Sequence, residues 1–304
     1  MGNVERRAQG MNLWVSSQWL HAMGCQASGL RGMAQGIGGQ PLIPTEVMVS
    51  MLLVIDVGNT NTVLGVYEGQ SLVEHWRLQT HQGRTSDEHG IFLRQLFELS
   101  GLDATRIERA VISCVVPPME RRLTRMVEDY FRCQPQIVGR DLEAAMPVLY
   151  DNPDEVGADR LVNAVAARAR YKTALIVVDL GTATTFDAIS HRGEYLGGAI
   201  CPGITVSSEG LFRAASKLPR VELAKPPEVI GQTTVHSIQA GLLYGYIGQI
   251  REVVSRMKEE LEGPVTVVAT GGLARFFADE SDIIDEVDEL LTLEGLRLME
   301  AGAG

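Results

Sequence analysis

The sequence predicts an α/β protein made of two similar halves, each a mixed sheet flanked by helices, facing one another across a central cleft. Two observations carry that expectation. The apolar run Leu52-Leu53-Val54-Ile55 ends in "DVGNT" at 56–60, and a second, Leu175-Ile176-Val177-Val178, ends in "DLGTATT" at 179–185. After each, the chain turns and alternates apolar with polar residues, the period of a half-buried strand, before helical periods take over.

The composition permits such a fold. In 304 residues, 45% apolar content is enough to bury a large core, and 21% charged residues argue against global disorder. A net charge of −11 argues against nucleic acid or an anionic membrane as the main partner, though it leaves room for a local basic site. Cys25, Cys114, Cys133 and Cys201 lie far apart with no CxxC pair, so they read as reduced thiols of a cytoplasmic protein. No apolar run approaches the roughly 18 residues of a membrane span.

Residues 1–50 stand apart as a flexible leader outside the fold. They are rich in Gly, Gln, Ser and Met and carry Trp14 and Trp19 without an apolar period. Arg6 and Arg7 ahead of "MNLWVSSQWLHAM" have the outline of a secretory signal, but Ser16, Ser17, Gln18 and His21 interrupt it. Met48 and Met51 stand just before the first strand and offer a later start.

From Met51 the elements follow in order. "MLLVID" is a buried strand, and "NTVLGVYEGQSLVEHWRLQ" gives two antiparallel strands around Glu68-Gly69. "TSDEHGIFLRQLFELSG" is a helix: Thr85 and Glu88 have capping-box spacing, Phe92, Leu93, Leu96 and Phe97 share a face, and Gly101 stops it. "RAVISCVVP" is a strand closed by Pro117 and Pro118, "MERRLTRMVEDYF" an amphipathic helix, and "PQIVG" a short strand. The loop "YDNPDEVG" leads into a helix, "ADRLVNAVAARARY".

At Ala174 the pattern begins again: strand "ALIVVD", then "TFDAISHRGEYLGGAI" turning at Arg192-Gly193. Helices near 205–216 and 233–260, strand "PVTVVAT" and a helix after Gly272 complete the second half. Asp56 matches Asp179, Gly58 matches Gly181 and Thr62 matches Thr185. The halves are thus 51–168 and 169–304, and both Asp-Gly turns fall at strand ends lining the cleft, where α/β proteins bind ligands.

The turns have a chemical reading. Glycine lets the backbone approach an anion, and the neighbouring N–H groups with Asn and Thr side chains donate hydrogen bonds to it. A carboxylate beside them repels phosphate unless a cation intervenes, so Asp56 implies Mg²⁺, which takes one or two carboxylates plus phosphate oxygens. The bland alternative is that Asp56 and Asp179 merely cap local amides. Neither GxxxxGK[ST] nor GxGxxG is present; in those loops glycines feed a helix, whereas here they feed a second strand. A β-hairpin phosphate loop is characteristic of the actin, hexokinase and Hsp70-like ATPases, a duplicated ribonuclease H-like fold. Thr270-Gly271-Gly272, between strand and helix, fits the turn that lies against adenosine in that fold.

Six stretches, "DVGNTNT", "GADR", "DLGTATT", "GGAICPGI", "IGQTTVHSIQAG" and "TGGL", occur in the order and approximate spacing of type III pantothenate kinase, which the chain resembles from Met51 almost to its end. The resemblance implies transfer of the ATP γ-phosphoryl group to the primary hydroxyl of pantothenate, the first step of coenzyme A synthesis. It implies ATP contacts from Asp56, Val57, Gly58, Asn59, Thr60, Asn61 and Thr62, from Thr182, and from Gly271 and Gly272. Asp56 would hold Mg²⁺ through water and Asp179 a monovalent cation, K⁺ or NH₄⁺. Asp159 of "GADR" is implied as general base, and Tyr150, Gly157, Ala158, Asp159, Arg160 and Thr234 as substrate contacts. Thr234 reaches the neighbouring subunit's site, so a homodimer is implied.

Read by themselves, these residues leave plainer alternatives. Asp159 could be an N-cap whose helix dipole keeps it ionised and weakly basic; Arg160, a forked donor for carboxylates, could be half of a surface ion pair. "RTSDE" at 84–88 leaves helix capping and a role near substrate both open. His75, His81, His89, His191 and His236 have no ligand spacing, and Arg121, Arg122 and Arg125 read as a solvated helix face. The acidic run from Glu280 to Glu289 reads as a solvated segment. Another small-molecule kinase or phosphohydrolase of this superfamily, or a non-catalytic nucleotide-binding protein, would keep the hairpins, but neither has reason to keep "GADR" together with Thr234.

Overall fold

Each apolar strand has two buried faces, and the fold supplies helices for both. The structure is a computed structural model that describes residues 50–302. The leader, its interrupted signal-like stretch and the start at Met48 lie outside the described residues.

In the first half, β1 (Met51–Val57) pairs antiparallel with β2 (Asn61–Glu68) and parallel with β4 (Ile107–Cys114). With β3 (Ser71–Gln79) and β5 (Pro135–Ile137) the sheet order is β3-β2-β1-β4-β5. In the second half β6 (Ala174–Leu180) pairs antiparallel with β7 (Ala183–Ile189) and parallel with β9 (Val265–Thr270). With β8 (Tyr195–Pro202) and β10 (Glu286–Val287) that sheet runs β10-β9-β6-β7-β8. Read from the opposite edge, this is the first sheet's order repeated.

The period of two along β1 sends alternate residues to different layers. Leu53, Ile55 and Val57 pack with Leu93 and Phe97 of α1 (Ser86–Leu99) and with Leu123, Met126 and Phe131 of α2 (Pro117–Phe131). Leu52 and Val54 face the other way, onto Val162 of α3 (Ala158–Arg170) and Leu293, Leu296 and Met299 of α7 (Leu291–Gly302). The second sheet repeats the scheme. Leu175 and Val177 meet Ala164 and Ala167 of α3, while Ile176 and Val178 meet Leu243, Tyr246 and Ile250 of α5 (Thr234–Glu260) and Phe277 of α6 (Ala274–Asp279). α4 (Ile204–Ala214) joins this outer layer through Ile204. Helices α3 and α7 therefore fill the space between the sheets. Among the described residues no helix is long and apolar enough to cross a membrane.

Four details depart from the sequence reading. Pro117 and Pro118 open α2 instead of closing a strand, because a helix's first turn needs no N–H from them. The acidic run contains β10, held at the edge of its sheet partly by Val267 N–H donating to the Asp285 carboxylate at 2.8 Å. The last helix, α7, has no counterpart in the sequence reading. The two turns also differ in length: Val57 pairs with Thr62 and Asp56 with Val63, whereas Leu180 pairs with Thr184 and Asp179 with Thr185. Thr62 thus corresponds to Thr184, since the second turn is one residue shorter. The capping box on α1 is present, with Glu88 N–H donating to Thr85 Oγ1 at 3.2 Å and Thr85 N–H to Glu88 Oε2 at 2.7 Å.

Close contact of α7 with α3 requires Gly295, where a Cβ would come within 2.2 Å of the Val162 carbonyl oxygen. Gly295→Ala is expected to lower stability by about 1–3 kcal/mol, as overpacking does. Urea unfolding checks it; a variant as stable as the parent would show that the two helices separate freely.

Candidate active site

Both hairpin turns begin where an apolar strand runs out of cover. In the first, Gly58 N–H donates to the Asn61 carbonyl at 2.9 Å; in the second, Gly181 N–H donates to that of Ala183 at 3.1 Å. The tips meet: Thr60 Oγ1 and Thr182 Oγ1 share a hydrogen bond of 2.8 Å. Thr80, just after β3, braces the first turn by donating to the Gly58 carbonyl at 2.7 Å and pairing with Thr62 Oγ1 at 2.9 Å. Gly203, capping α4, does the same for the second, its N–H reaching the Thr182 carbonyl at 3.1 Å where a Cβ would lie 2.3 Å from that oxygen. Asn59, Thr60, Asn61 and Thr182 are all exposed at the tips of the turns.

Behind the tips stand the acids. Asp56 and Asp179 each keep a strip of surface at the cleft floor yet are densely enclosed by protein. Burial first, then the charges of Asp159 and Asp179, push the Asp56 carboxyl up to about 7, and the neighbouring Ser113 hydroxyl offsets part of that. Burial, then Asp159 and Asp187, push Asp179 likewise to about 7, against a hydrogen bond of 3.3 Å from Asn163 Nδ2. Gly271 makes room beside this acid: its φ is +91°, and a Cβ there would lie 2.5 Å from Asp179 Oδ1.

Asp159 reaches these acids from α3. It is the second residue of the helix, Gly157 being the cap, and its Oδ1 accepts the Arg160 N–H at 2.9 Å. The expectation of a carboxylate kept weakly basic by the helix start is overturned. Burial raises its proton affinity, outweighing the Arg160 amide and guanidinium. Asn163, one turn on, ties the same helix face to Asp179.

Arg160 is not part of a surface ion pair. Its side chain is 9% exposed and Nε donates at 2.7 Å to Asp187 Oδ1, whose side chain is 0% exposed. Burial raises the Asp187 carboxyl to about 6, although Arg160 and the Tyr195 hydroxyl, donating at 2.7 Å, both act to lower it. Tyr150 stands beside Gly197, where a Cβ would lie 3.4 Å from its ring.

The fold therefore assembles Asp56, Gly58, Thr60, Thr62, Thr182, Asp179, Gly271 and Asp159 at one cleft, with Arg160 and Ala158 on the same helix turn as Asp159. Thr234 stands elsewhere, in a cavity of about 710 Å³ between α4 and α5 lined by Ser207, Leu211, Gly231, Thr233 and Ser237. Sequence reading missed Thr80, Asn163, Asp187 and Arg77. Arg77, exposed on β3, brings Nη1 to 3.6 Å from the Cβ position of Gly272 and lowers the proton affinity of both Asp56 and Asp179. Only its place at the end of an alternating strand, close to the first turn, could have signalled it.

Twin sheets of repeated strand order, each with a β-hairpin turn at the end of its central strand, define the actin-like ATPase fold. A solved structure from Campylobacter jejuni, assigned to the Baf family of transcriptional activators, shares that fold with a TM-score of 0.52 at 19% identity, covering 82% of this chain and 98% of that one. The family profile described as Type III pantothenate kinase matches residues 52–256. Relatives of that name from Myxococcus xanthus and Geobacter sulfurreducens are 60% and 54% identical over 249 residues, 82% of this chain and 97% and 98% of theirs. The chain belongs to the type III pantothenate kinases. Its reaction is the ATP-dependent phosphorylation of pantothenate, the first step of coenzyme A biosynthesis.

The acid cluster makes a stability prediction. A carboxyl raised from 3.8 to about 7 on folding holds a proton that the unfolded chain has lost, so its contribution grows less favourable as pH rises through that interval. Asp179→Asn, which carries no charge, should melt above the parent at pH 8 in chelator and large-cation buffer. The gap should narrow as pH falls from 7 toward 5. A gap independent of pH would mean that Asp179 is not held as a buried charge.

Proposed function

We propose that the paired hairpins, one from each half (51–168 and 169–304), hold the ATP phosphates while α3 presents the acceptor. The carrying observation is the contact of Thr60 with Thr182 above three mutually repelling carboxylates. Gly58, Asn59, Thr60, Asn61 and Thr62 with Val57 form the first phosphate loop, Thr182 the second, and Gly271-Gly272 the seat for adenosine. Arg77 adds positive charge facing the phosphates.

The acids suit cations. Burial first and neighbouring like charges second raise Asp56 and Asp179, and among the described residues neither forms an ion pair. No group of three or more His, Cys, Asp or Glu among the described residues is placed to hold a metal by itself. Mg²⁺ takes few protein ligands and shares phosphate oxygens, so one carboxylate suffices on the protein side. Asp56 would hold Mg²⁺ through water, and Asp179 K⁺ or NH₄⁺; bound there, they neutralise charge that develops on the transferred group.

Asp159 accepts the proton of the pantothenate primary hydroxyl as that oxygen bonds to the γ-phosphorus, and the bond from phosphorus to the β,γ-bridging oxygen breaks to release ADP. Its raised proton affinity favours this role. Arg160 binds the acceptor carboxylate, with Tyr150, Gly157 and Ala158 lining the approach. Thr234 serves the site of a second copy, making the enzyme a homodimer; Ile200, Val206, Leu211 and Val235, all exposed on β8, α4 and α5, supply apolar surface for that contact. A cytoplasmic location is consistent with Cys114, Cys133 and Cys201 being free thiols among the described residues.

Purified protein with Mg·ATP and pantothenate should yield 4′-phosphopantothenate faster with K⁺ than with Na⁺, and Asp179→Asn should erase that difference. Asp159→Asn should cut kcat by about 100-fold or more, the scale of a lost general base, while nucleotide affinity stays close to the parent's. Equal loss of both would refute the assignment. Mixing Asp159→Asn with Thr234→Val should restore part of the activity if sites are shared between copies; no recovery on subunit exchange would sink the trans role.

A further inference from the structure

The second glycine of "GGAICPGI", Gly198, and the buried acid Asp187 are unused by the reaction as described, and they meet at one side chain, that of Arg160. Asp187 lies mid-strand on β7. Its Oδ1 accepts both Arg160 Nε and the Tyr195 hydroxyl at 2.7 Å, and its Oδ2 accepts Thr185 Oγ1 at 3.3 Å. Gly198 lies opposite Asp187 on β8. A Cβ at Gly198 would come within 2.9 Å of Arg160 Nη2 and 1.7 Å of the Phe186 carbonyl oxygen, so only glycine lets the guanidinium lie against this strand.

Such a pair is a poor way to gain stability. Desolvating two charges costs several kcal/mol each, and apolar residues of similar volume often serve as well. The geometry is also incomplete as an ion pair: one guanidinium nitrogen is engaged, and Nη2 is buried without a partner. A forked donor used through Nε alone keeps further N–H groups for a second carboxylate. Tyr195 and Thr185, by filling Asp187's remaining acceptor sites, remove the alternatives to which that acid could turn.

We propose that Asp187, with Tyr195 and Gly198, is the positioning seat of Arg160, holding its guanidinium in the one orientation that recognises a carboxylate-bearing alcohol. This rests on the reading that Arg160 binds the acceptor carboxylate. Asp187 is then a specificity-determining residue that never touches the substrate. Losing it releases the guanidinium from its seat, so discrimination between acceptors with and without a carboxylate falls while the nucleotide site is untouched.

The test compares pantothenate with pantothenyl alcohol, the same acceptor with a hydroxymethyl group in place of the carboxylate, at saturating Mg·ATP on the full chain. The parent should favour pantothenate in kcat/KM by roughly 10–100-fold, the scale of a charge-assisted hydrogen bond. Asp187→Asn should raise KM for pantothenate about tenfold or more on that scale, leave KM for ATP near the parent's, and shrink the preference to that of Arg160→Gln. Because Asp187 acts through Arg160, adding Asp187→Asn to Arg160→Gln should cost little more. Tyr195→Phe, which removes one bond and keeps the ring, should move the preference the same way by a smaller factor; it decides the question should Asp187→Asn fail to fold. A reduced kcat with unchanged preference, additive losses in the double variant, or an unaltered preference in Tyr195→Phe would each overturn the proposal. A parent enzyme indifferent to the carboxylate would instead overturn the assignment of Arg160 beneath it.

Discussion

Two carboxylates at the ends of buried strands, too close to be comfortable as anions, are the constraint around which this protein is arranged. Asp56 and Asp179 could each be accommodated by a lysine or by exposure to water. Instead Asp179 has the Asn163 amide, Asp56 lies near the Ser113 hydroxyl, the more distant Arg77 offsets part of the charge, and a third acid, Asp159, repels both. Protein that leaves such charge uncompensated is less stable alone than with a cation bound, so ligand binding contributes to the folded state. The exposed hydroxyls of Thr60 and Thr182 stand just above the acids and pair with each other. In the proposed reaction, polyphosphate with its cation would satisfy both sets of groups together, which neither could do for the other.

Duplication makes this arrangement inexpensive to specify. Once β1 and β6 occupy equivalent central places in sheets of the same order, their terminal acids arrive at equivalent heights, and the turns after them meet across the cleft. The halves are not used identically. The first turn carries one residue more than the second, and its exposed Asn59 and Asn61 have no counterparts in the shorter loop, where Gly203 presses on Thr182 instead.

Much of this was legible from local pattern. The apolar strands, their Asp-Gly ends, the capping box at Thr85 and the antiparallel hairpins all depend on residues within a few positions of one another. What stayed hidden depends on distance along the chain. The Arg160–Asp187 pair joins residues 27 apart on different elements, and nothing near Asp187 in "TFDAI" marks it as buried among partners. The final strand β10 escaped because acids dominate its segment, although Asp285 spends its charge on a backbone N–H of β9. Burial of Asp159 escaped for a similar reason: a helix start argues for a low proton affinity, and only the packed cleft reverses the balance.

One turn of α3 now carries three separate duties. Asp159 and Asn163, four residues apart, share a face toward the acids, while Arg160, about 100° further round an ideal helix, is directed to β7 and β8. A small rotation of the helix would spoil all three at once, so its setting must come from outside the turn. The last helix provides it. Thr292 Oγ1 donates to Asn163 Oδ1 at 2.7 Å, which fixes the amide so that its nitrogen faces Asp179, and Gly295 lets α7 press directly on the backbone at Val162. The C-terminal helix, far from either hairpin in sequence, thereby helps set the angle at which Asp159, Arg160 and Asn163 leave α3.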